Sequence, residues 1–530
     1  MNTFTLKRKE IQTGTLVVCL LCSPMLVSAQ STGFSISPIV KRGDPIGDEG
    51  RFFDCDGCEG RVVGLHAFNN KGDVTIGADT SGSCFEGRFL VSGGSIIRLA
   101  DFCQQTPWGK FGILGSVNIN QQSQAAMLVA LPVDGRLDAA LFLYAGGQHS
   151  KIVQERDPSP VGGMFKGCGF GQPAINNNGE VAFFACGEKD GFFFGDGVFK
   201  YSGGQITKVV VNNDPSPIGG TFGLNFIPAQ SVQMNDRGDV LFRCGVILDP
   251  FAKEKFGLFL ATTDRFRKIE VDGERMPSGE QIKEGSLGIG DLNNKGDVAF
   301  VVGLAGQSDG GLFLYSGGIV NRVVIAGDPS PIGGTFSPFD RGPNEAFPLP
   351  HINASAAIAF KAFVTNGDAS NAIFLASPRA AIKVVAVGDQ LPTGETIRVI
   401  DTFALNDLGQ VAFFAYGKKN KTNPLGVFVA TPVKPSITSI KLKHKKGTLQ
   451  LRVNGNAMIT NDTVIEINDV PLDVIDYPSD FRVDGGFTTR VVSRDGGLEQ
   501  LIPSGQTVRV TVFNSLTNLR SNPVSLTRSN

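Results

Sequence analysis

Histidine, tryptophan and tyrosine are scarce, with 4 His, 1 Trp and 5 Tyr among 530 residues. His66, His149, His351 and His444 lie in distant segments, without the paired spacing of a histidine-ligated metal motif. A single tryptophan leaves little for the aromatic platforms on which sugars stack. Neither sign of charge is in excess: 49 Lys and Arg face 50 Asp and Glu, so no net field favours nucleic acid or an anionic membrane. Beyond residue 29 no apolar run approaches the roughly 18 residues that mark a membrane-spanning helix. There is no GxSxG elbow, HExxH pair, phosphate-binding P-loop or sialidase-type SxDxGxTW box, so the common signatures of hydrolases and nucleotide enzymes are missing.

What the chain does have is glycine (67), phenylalanine (40) and a 41% hydrophobic content, the makings of a turn-rich fold with a real core. Lys7, Arg8 and Lys9 precede an apolar stretch from Leu16 to Val27, and Val27-Ser28-Ala29 fits a small-x-small cleavage site. Residues 1–29 therefore read as a signal peptide cleaved after Ala29. The mature chain is expected to be secreted or periplasmic, without a transmembrane segment.

A unit of the form Asn-x-x-Gly-x-Val-Ala-Phe recurs at Asn69, Asn176, Asn235, Asn293 and Asn406, and without its glycine at Asn120 and Asn353. These seven units stand 51, 56, 59, 58, 60 and 53 residues apart. Each is followed by a Gly-Leu-Phe-Leu-Tyr-Ser-Gly-Gly-like run, beginning at Gly87, Ala140, Gly197, Gly257, Gly311, Ala372 and Gly426. A third element, Val-Val followed by Gly-Asp-Pro-Ser-Pro-Ile-Gly-Gly-Thr-Phe, centres on Asp157, Asp214 and Asp328. Short β-branched and aromatic runs between Gly, Asn and Pro turns are strands and hairpins. About four strands per repeat make one blade, and seven blades a β-propeller. The last unit lacks its final strand, while Ser37–Gly47 carries an orphan copy of it. The ring is therefore expected to close by donating the N-terminal strand to the last blade, which removes two exposed edges.

These NxxGxVAF units, with their GIFLYSGG-like and GDPxP connections, resemble the tandem-repeat NxxGxVAF proteins, exported bacterial proteins of uncharacterised function. The resemblance spans roughly residues 35–432 and implies a propeller without implying an activity. After Pro432 the repeat stops and alternating strands follow. Leu451–Gly455, Val464–Asn468, the Pro503-Ser-Gly505 turn and Ser521–Val524 resemble an IPT/TIG immunoglobulin-like module. The expected fold is thus all-β: a signal peptide (1–29), a seven-bladed propeller (30–432) and a small immunoglobulin-like sandwich (433–530). Lys441, Lys443, Lys445 and Lys446 crowd one C-terminal strand, as lysines do when they protect a sheet edge.

Export makes disulfides the default for Cys55, Cys58, Cys84, Cys103, Cys168 and Cys186. Cys244 occupies a slot that is apolar in other repeats and is expected as a buried thiol. Asp54, Asp56 and Glu59 have part of the spacing of a calcium loop but lack the rest of its ligand ladder.

Residues that recur are needed by the repeat, so function is sought where repeats disagree. Two residues before each leading Asn stand Ala67, Asn118, Ala174, Gln233, Asp291, His351 and Ala404. Eight after it stand Gly77, Leu128, Phe184, Arg243, Val301, Lys361 and Phe414. Asn118, Gln233, Arg243, Asp291, His351 and Lys361 are accordingly the candidate ligand-binding residues, lining the propeller channel or its mouth. The reading is an exported, non-catalytic binding or scaffold protein with no cofactor, whose partner is a protein or a glycan and not nucleic acid. The alternative is an extracytoplasmic carbohydrate-active lyase or hydrolase with its site in the channel.

Overall fold

The computed structural model describes residues 33–46, 50–53, 64–81, 86–189, 192–223, 232–249, 251, 253–306, 310–338, 349–445, 447–494 and 496–529. The signal segment, Cys55, Cys58, Cys84, Asp54, Asp56 and Glu59 lie outside the described residues. No helix among the described residues is long and apolar enough to cross a membrane.

Among the described residues the repeats form seven antiparallel sheets of four or five strands, besides a two-stranded one of Gln105–Thr106 and Gly109–Lys110. Sheet one runs Gly64–Phe68, Val74–Asp79, Glu86–Ser92 and Ser95–Asp101 in sequence order. Sheets two to six follow at 113–154, 164–211, 221–271, 282–325 and 335–386. Sheet seven takes Val399–Leu405, Val411–Tyr416 and Pro424–Pro432 from the end of the repeat region. Its fourth strand is Phe34–Lys41, paired antiparallel from Phe34 opposite Pro432 to Lys41 opposite Gly426.

The Val-Ala-Phe strand is buried on both sides, and its alternation assigns each residue to a neighbour. Val298, Phe300 and Val302 of sheet five pack with Leu241 and Leu258 of sheet four. Ala299 and Val301 pack with Ile358 and Phe374 of sheet six. Corresponding apolar clusters fill the other junctions, including the one between sheets seven and one, where Val427 and Phe414 meet Ile76 and Phe89. The Phe of Gly-Gly-Thr-Phe has a fixed partner: Phe165, Phe222 and Phe336 each set an edge against the Phe two strands further on, with centroids 5.1 Å apart.

The leading asparagine of each unit does two jobs. Within its hairpin, Asn235 Oδ1 accepts the N–H groups of Arg237 and Asp239, and Nδ2 donates to Asp239. Across the junction, the same Nδ2 donates to the carbonyl of the next unit's asparagine. The chain of donors runs Asn69 to Asn120, Asn176, Asn235, Asn293, Asn353 and Asn406. Asn406 then donates to Asn69 O at 3.1 Å. Seven buried side chains thus form one closed cycle. Antiparallel sheets joined face to face in such a cycle make a β-propeller.

Beyond Pro432 two further five-stranded sheets share one apolar core that includes Leu451, Val453, Ile465, Val491 and Val510. This unit is packed onto the ring. Ile459, Phe487 and Leu516 join the core between sheets six and seven, and Gly485 N–H donates to Pro331 O at 2.9 Å.

Candidate functional site

The slot two residues before each asparagine lies at the end of a sheet's first strand, beside the asparagine cycle. There Asp291, closing strand Ile282–Leu292, reaches from sheet five to sheet six, where its Oδ2 accepts the N–H of Ile352 at 2.9 Å. Its Oδ1 accepts the N–H of Leu292. His351 Nδ1 stands 3.8 Å from Asp291 Oδ2, an ion-pair distance rather than a hydrogen bond. The imidazole sets its edge against Phe403 of sheet seven, 5.1 Å away. Side chains of both keep partial exposure, 16% for Asp291 and 25% for His351. Burial raises the Asp291 carboxyl, opposed by the nearby imidazole, and lowers the His351 imidazole, opposed by the carboxylate. Asn118 uses the same slot at another junction, where Nδ2 donates to Pro173 O of the third repeat at 2.6 Å. Gln233 is half-buried on sheet four, opposite Leu241.

The second slot, eight residues after the asparagine, faces a β-bulge. The first strands of sheets two and seven break register after Leu114 and Ile400, and a cation from the preceding sheet binds the carbonyls there. Lys361 Nζ donates to Ile400 O and Asp401 O at 3.1 and 3.2 Å. Arg88 does the same for sheet two, Nε to Gly115 O at 2.8 Å and Nη2 to Leu114 O at 2.5 Å. Arg88 lies directly across the pair from Gly77, the occupant of that slot in sheet one. Sequence reasoning missed it. Its signal was a charge where the six other repeats have Leu141, Val198, Leu258, Leu312, Ile373 and Val427. Arg243 holds the slot eight residues after the asparagine in sheet four. It is 8% exposed, lies 4.3 Å over the Phe256 ring, and its Nε has no hydrogen-bond partner. Burial lowers its pKa, and Asp272 opposes the shift. Asp272 itself accepts from Gly285 N and Leu287 N of the next sheet.

Of the six candidates, only Asp291 and His351 come together. Asn118, Gln233, Arg243 and Lys361 are dispersed around the ring, and Asn118 and Lys361 are spent on neighbouring backbone.

A family model, "Family of unknown function (DUF7453)", matches residues 68–430, more than half of the chain. The chain belongs to family DUF7453. That span takes in all seven asparagine units and leaves out Phe34–Lys41 and the C-terminal sheets. No curated protein matches the chain. Among solved structures it is similar to the β-propeller domain of the trilobed protease from Pyrococcus furiosus, at 8% identity and a TM-score of 0.42, over 70% of this chain and 98% of that one. It is also similar to the uncharacterised protein lmo1340 from Listeria monocytogenes, at 10% identity and 0.35, over 68% and 93%. The polysaccharide lyase Uly1 matches at 9% identity and 0.35, over 73% and 90%. Likenesses this remote carry no activity across to the DUF7453 chain.

Cys244 is a buried thiol whose Sγ lies 3.0 Å from Gly245 O, whereas Cys103 and Cys186 are not free thiols. The side chain of Cys168 lies outside the described residues. Among the described residues no group of three His, Cys, Asp or Glu is placed to hold a metal ion.

Proposed function

We propose that residues 30–432 form a seven-bladed propeller closed by its N-terminal strand, that 433–530 form an IPT/TIG-like module, and that the chain is exported after cleavage behind Ala29. In that oxidising setting the cysteines other than Cys244 pair in disulfides. The protein works as a non-catalytic binding or scaffold platform, with a protein or glycan as its partner. One observation carries this reading. The recurring polar residues are consumed by the ring, while Asp291 and His351, which break the repeat, meet at a blade junction with side chains partly open to solvent. Ligands gather where side chains of several blades converge.

The test is thermal unfolding of oxidised residues 30–530 against sugars, peptides, calcium and common anions. A ligand at about 100 times its Kd adds roughly 2.7 kcal/mol and raises Tm by a few degrees. The reading expects a hit that Asp291→Asn or His351→Gln abolishes. A hit untouched by both substitutions would contradict it. The enzyme alternative draws on the same pair, because a carboxyl and an imidazole at one junction can exchange roles as acid and base. Turnover of a polysaccharide that disappears in Asp291→Asn would replace the binding reading with that one.

A further inference from the structure

The C-terminal sheet Ser436–Lys445, Thr448–Ile459, Phe487–Ser493 has one face in the core and one outside. Ile440, Leu442, Leu451, Val453 and Val491 point inward. The alternate residues are opposed in rows: Ser439 with Asn454 and Arg490, Lys441 with Arg452, and Lys443 with Gln450. Lys445 extends this face, as does Arg494 just past the third strand. Six cations therefore share it, in rows about 4.8 Å apart with steps of about 6.8 Å along each strand. Lys441, Lys443 and Lys445 are exposed and have no ion-pair partner among the described residues. Asp476, opposite Val492, is already held by Arg494 Nε at 3.1 Å.

Edge protection explains lysines on the edge strand Ser436–Lys445, but not Arg452 and Arg490 on the interior strands. Arg490 is fixed by Asn454 and by the Phe481 ring beneath it, 3.5 Å from its guanidinium carbon. We infer that this face binds an acidic polysaccharide, a chain bearing carboxylate or sulfate groups, through the Lys441, Lys443, Lys445, Arg452 and Arg490 array. The aromatic ring of this face is covered by Arg490, so bases have nothing to stack on. The choice of a glycan rests on the export reading; the binding test below uses purified protein and stands or falls without it.

The mature chain is titrated with polyguluronate by calorimetry at about 50 and 200 mM salt, with neutral dextran and duplex DNA alongside. Polyguluronate binds, its affinity falls steeply with salt, and dextran does not bind. The triple variant Lys441→Gln, Lys443→Gln, Lys445→Gln loses at least tenfold in affinity and flattens the salt slope, with Tm unchanged. The triple Lys→Arg variant keeps binding, and so does Lys253→Gln on the propeller. Wild-type affinity in the triple Gln variant, absence of polyguluronate binding at low salt, or tighter binding of DNA than of polyguluronate would each overturn the inference.

Discussion

Asparagine is the one side chain that can both accept two hairpin N–H groups and donate to the next carbonyl, and each unit uses it for both. Asn235→Asp therefore fails, as does Asn235→Ala: the new carboxylate still accepts the Arg237 and Asp239 N–H groups but cannot donate to Asn293 O and repels Asp239. Urea unfolding should show each losing about 2 kcal/mol or more, the cost of stranding buried polar groups; an Asp variant as stable as wild type would contradict the shared role. Where the hairpin glycine has been lost, Ser123 and Ala356 take its left-handed conformation at φ 62°. Ala356→Gly should stabilise by about 1 kcal/mol by relieving Cβ strain, read as a higher urea midpoint. Titration adds a third check. Burial raises the Glu270 carboxyl to about 7 and lowers His66 to about 3. A raised carboxyl costs stability as pH climbs from its unfolded value near 4.5 to 7, and a depressed histidine costs stability as pH falls below 6.5. Glu270→Gln should gain on wild type progressively between pH 4.5 and 7, and His66→Gln should gain on it below 6.5. Parallel stability–pH curves would show that neither group is titrating in the fold.

At the scale of the element, hairpins and strands were legible because glycine, proline and alternation act locally. The hairpin glycines at 72, 179, 238, 296 and 409 all have positive φ. The aspartates of the connecting turns cap their own strands: Asp157, Asp214 and Asp328 accept N–H groups three residues back. Cations six residues back pair with them, at Lys151, Lys208 and Arg322. What pattern reasoning could not reach was the junction. A bulge exposes carbonyls that the preceding sheet satisfies, so the roles of Arg88 and Lys361 depend on neighbours 27 and 39 residues away. Lys361, expected from the sequence to line the channel, donates to the bulge carbonyls Ile400 O and Asp401 O. Lys361→Met keeps the stem and removes the donor. It should lower stability by about 1–3 kcal/mol in urea unfolding, while ligand binding at Asp291 persists. Loss of binding with no loss of stability would return Lys361 to the binding residues. The docking of the last unit was equally hidden from sequence. A Cβ at Gly486, whose φ is 86°, would come 2.4 Å from Ala381 O, so close packing there needs glycine.

For the whole molecule, the repeat count and the orphan N-terminal copy pointed to a cycle, and the asparagine donors and the apolar clusters trace one. The candidate site was less legible. Variation between repeats picked out six residues, but it could not distinguish a side chain facing solvent from one bonded to the next sheet, because both escape the repeat. Asp291 and His351 stand out only once sheets five and six are adjacent. A ring closed in the proposed way would concentrate its vulnerability in the one strand contributed from the far end of the chain. That strand approaches its partner closely: at Gly426, whose φ is 128°, a Cβ would stand only 2.1 Å from Val40 O. The most direct test is to melt the mature chain with and without residues 30–41, adding a synthetic 34–41 peptide back to the truncated form. Closure by the first strand predicts a Tm lower by several degrees that the peptide restores. A truncated chain that melts where the full one does would contradict the ring.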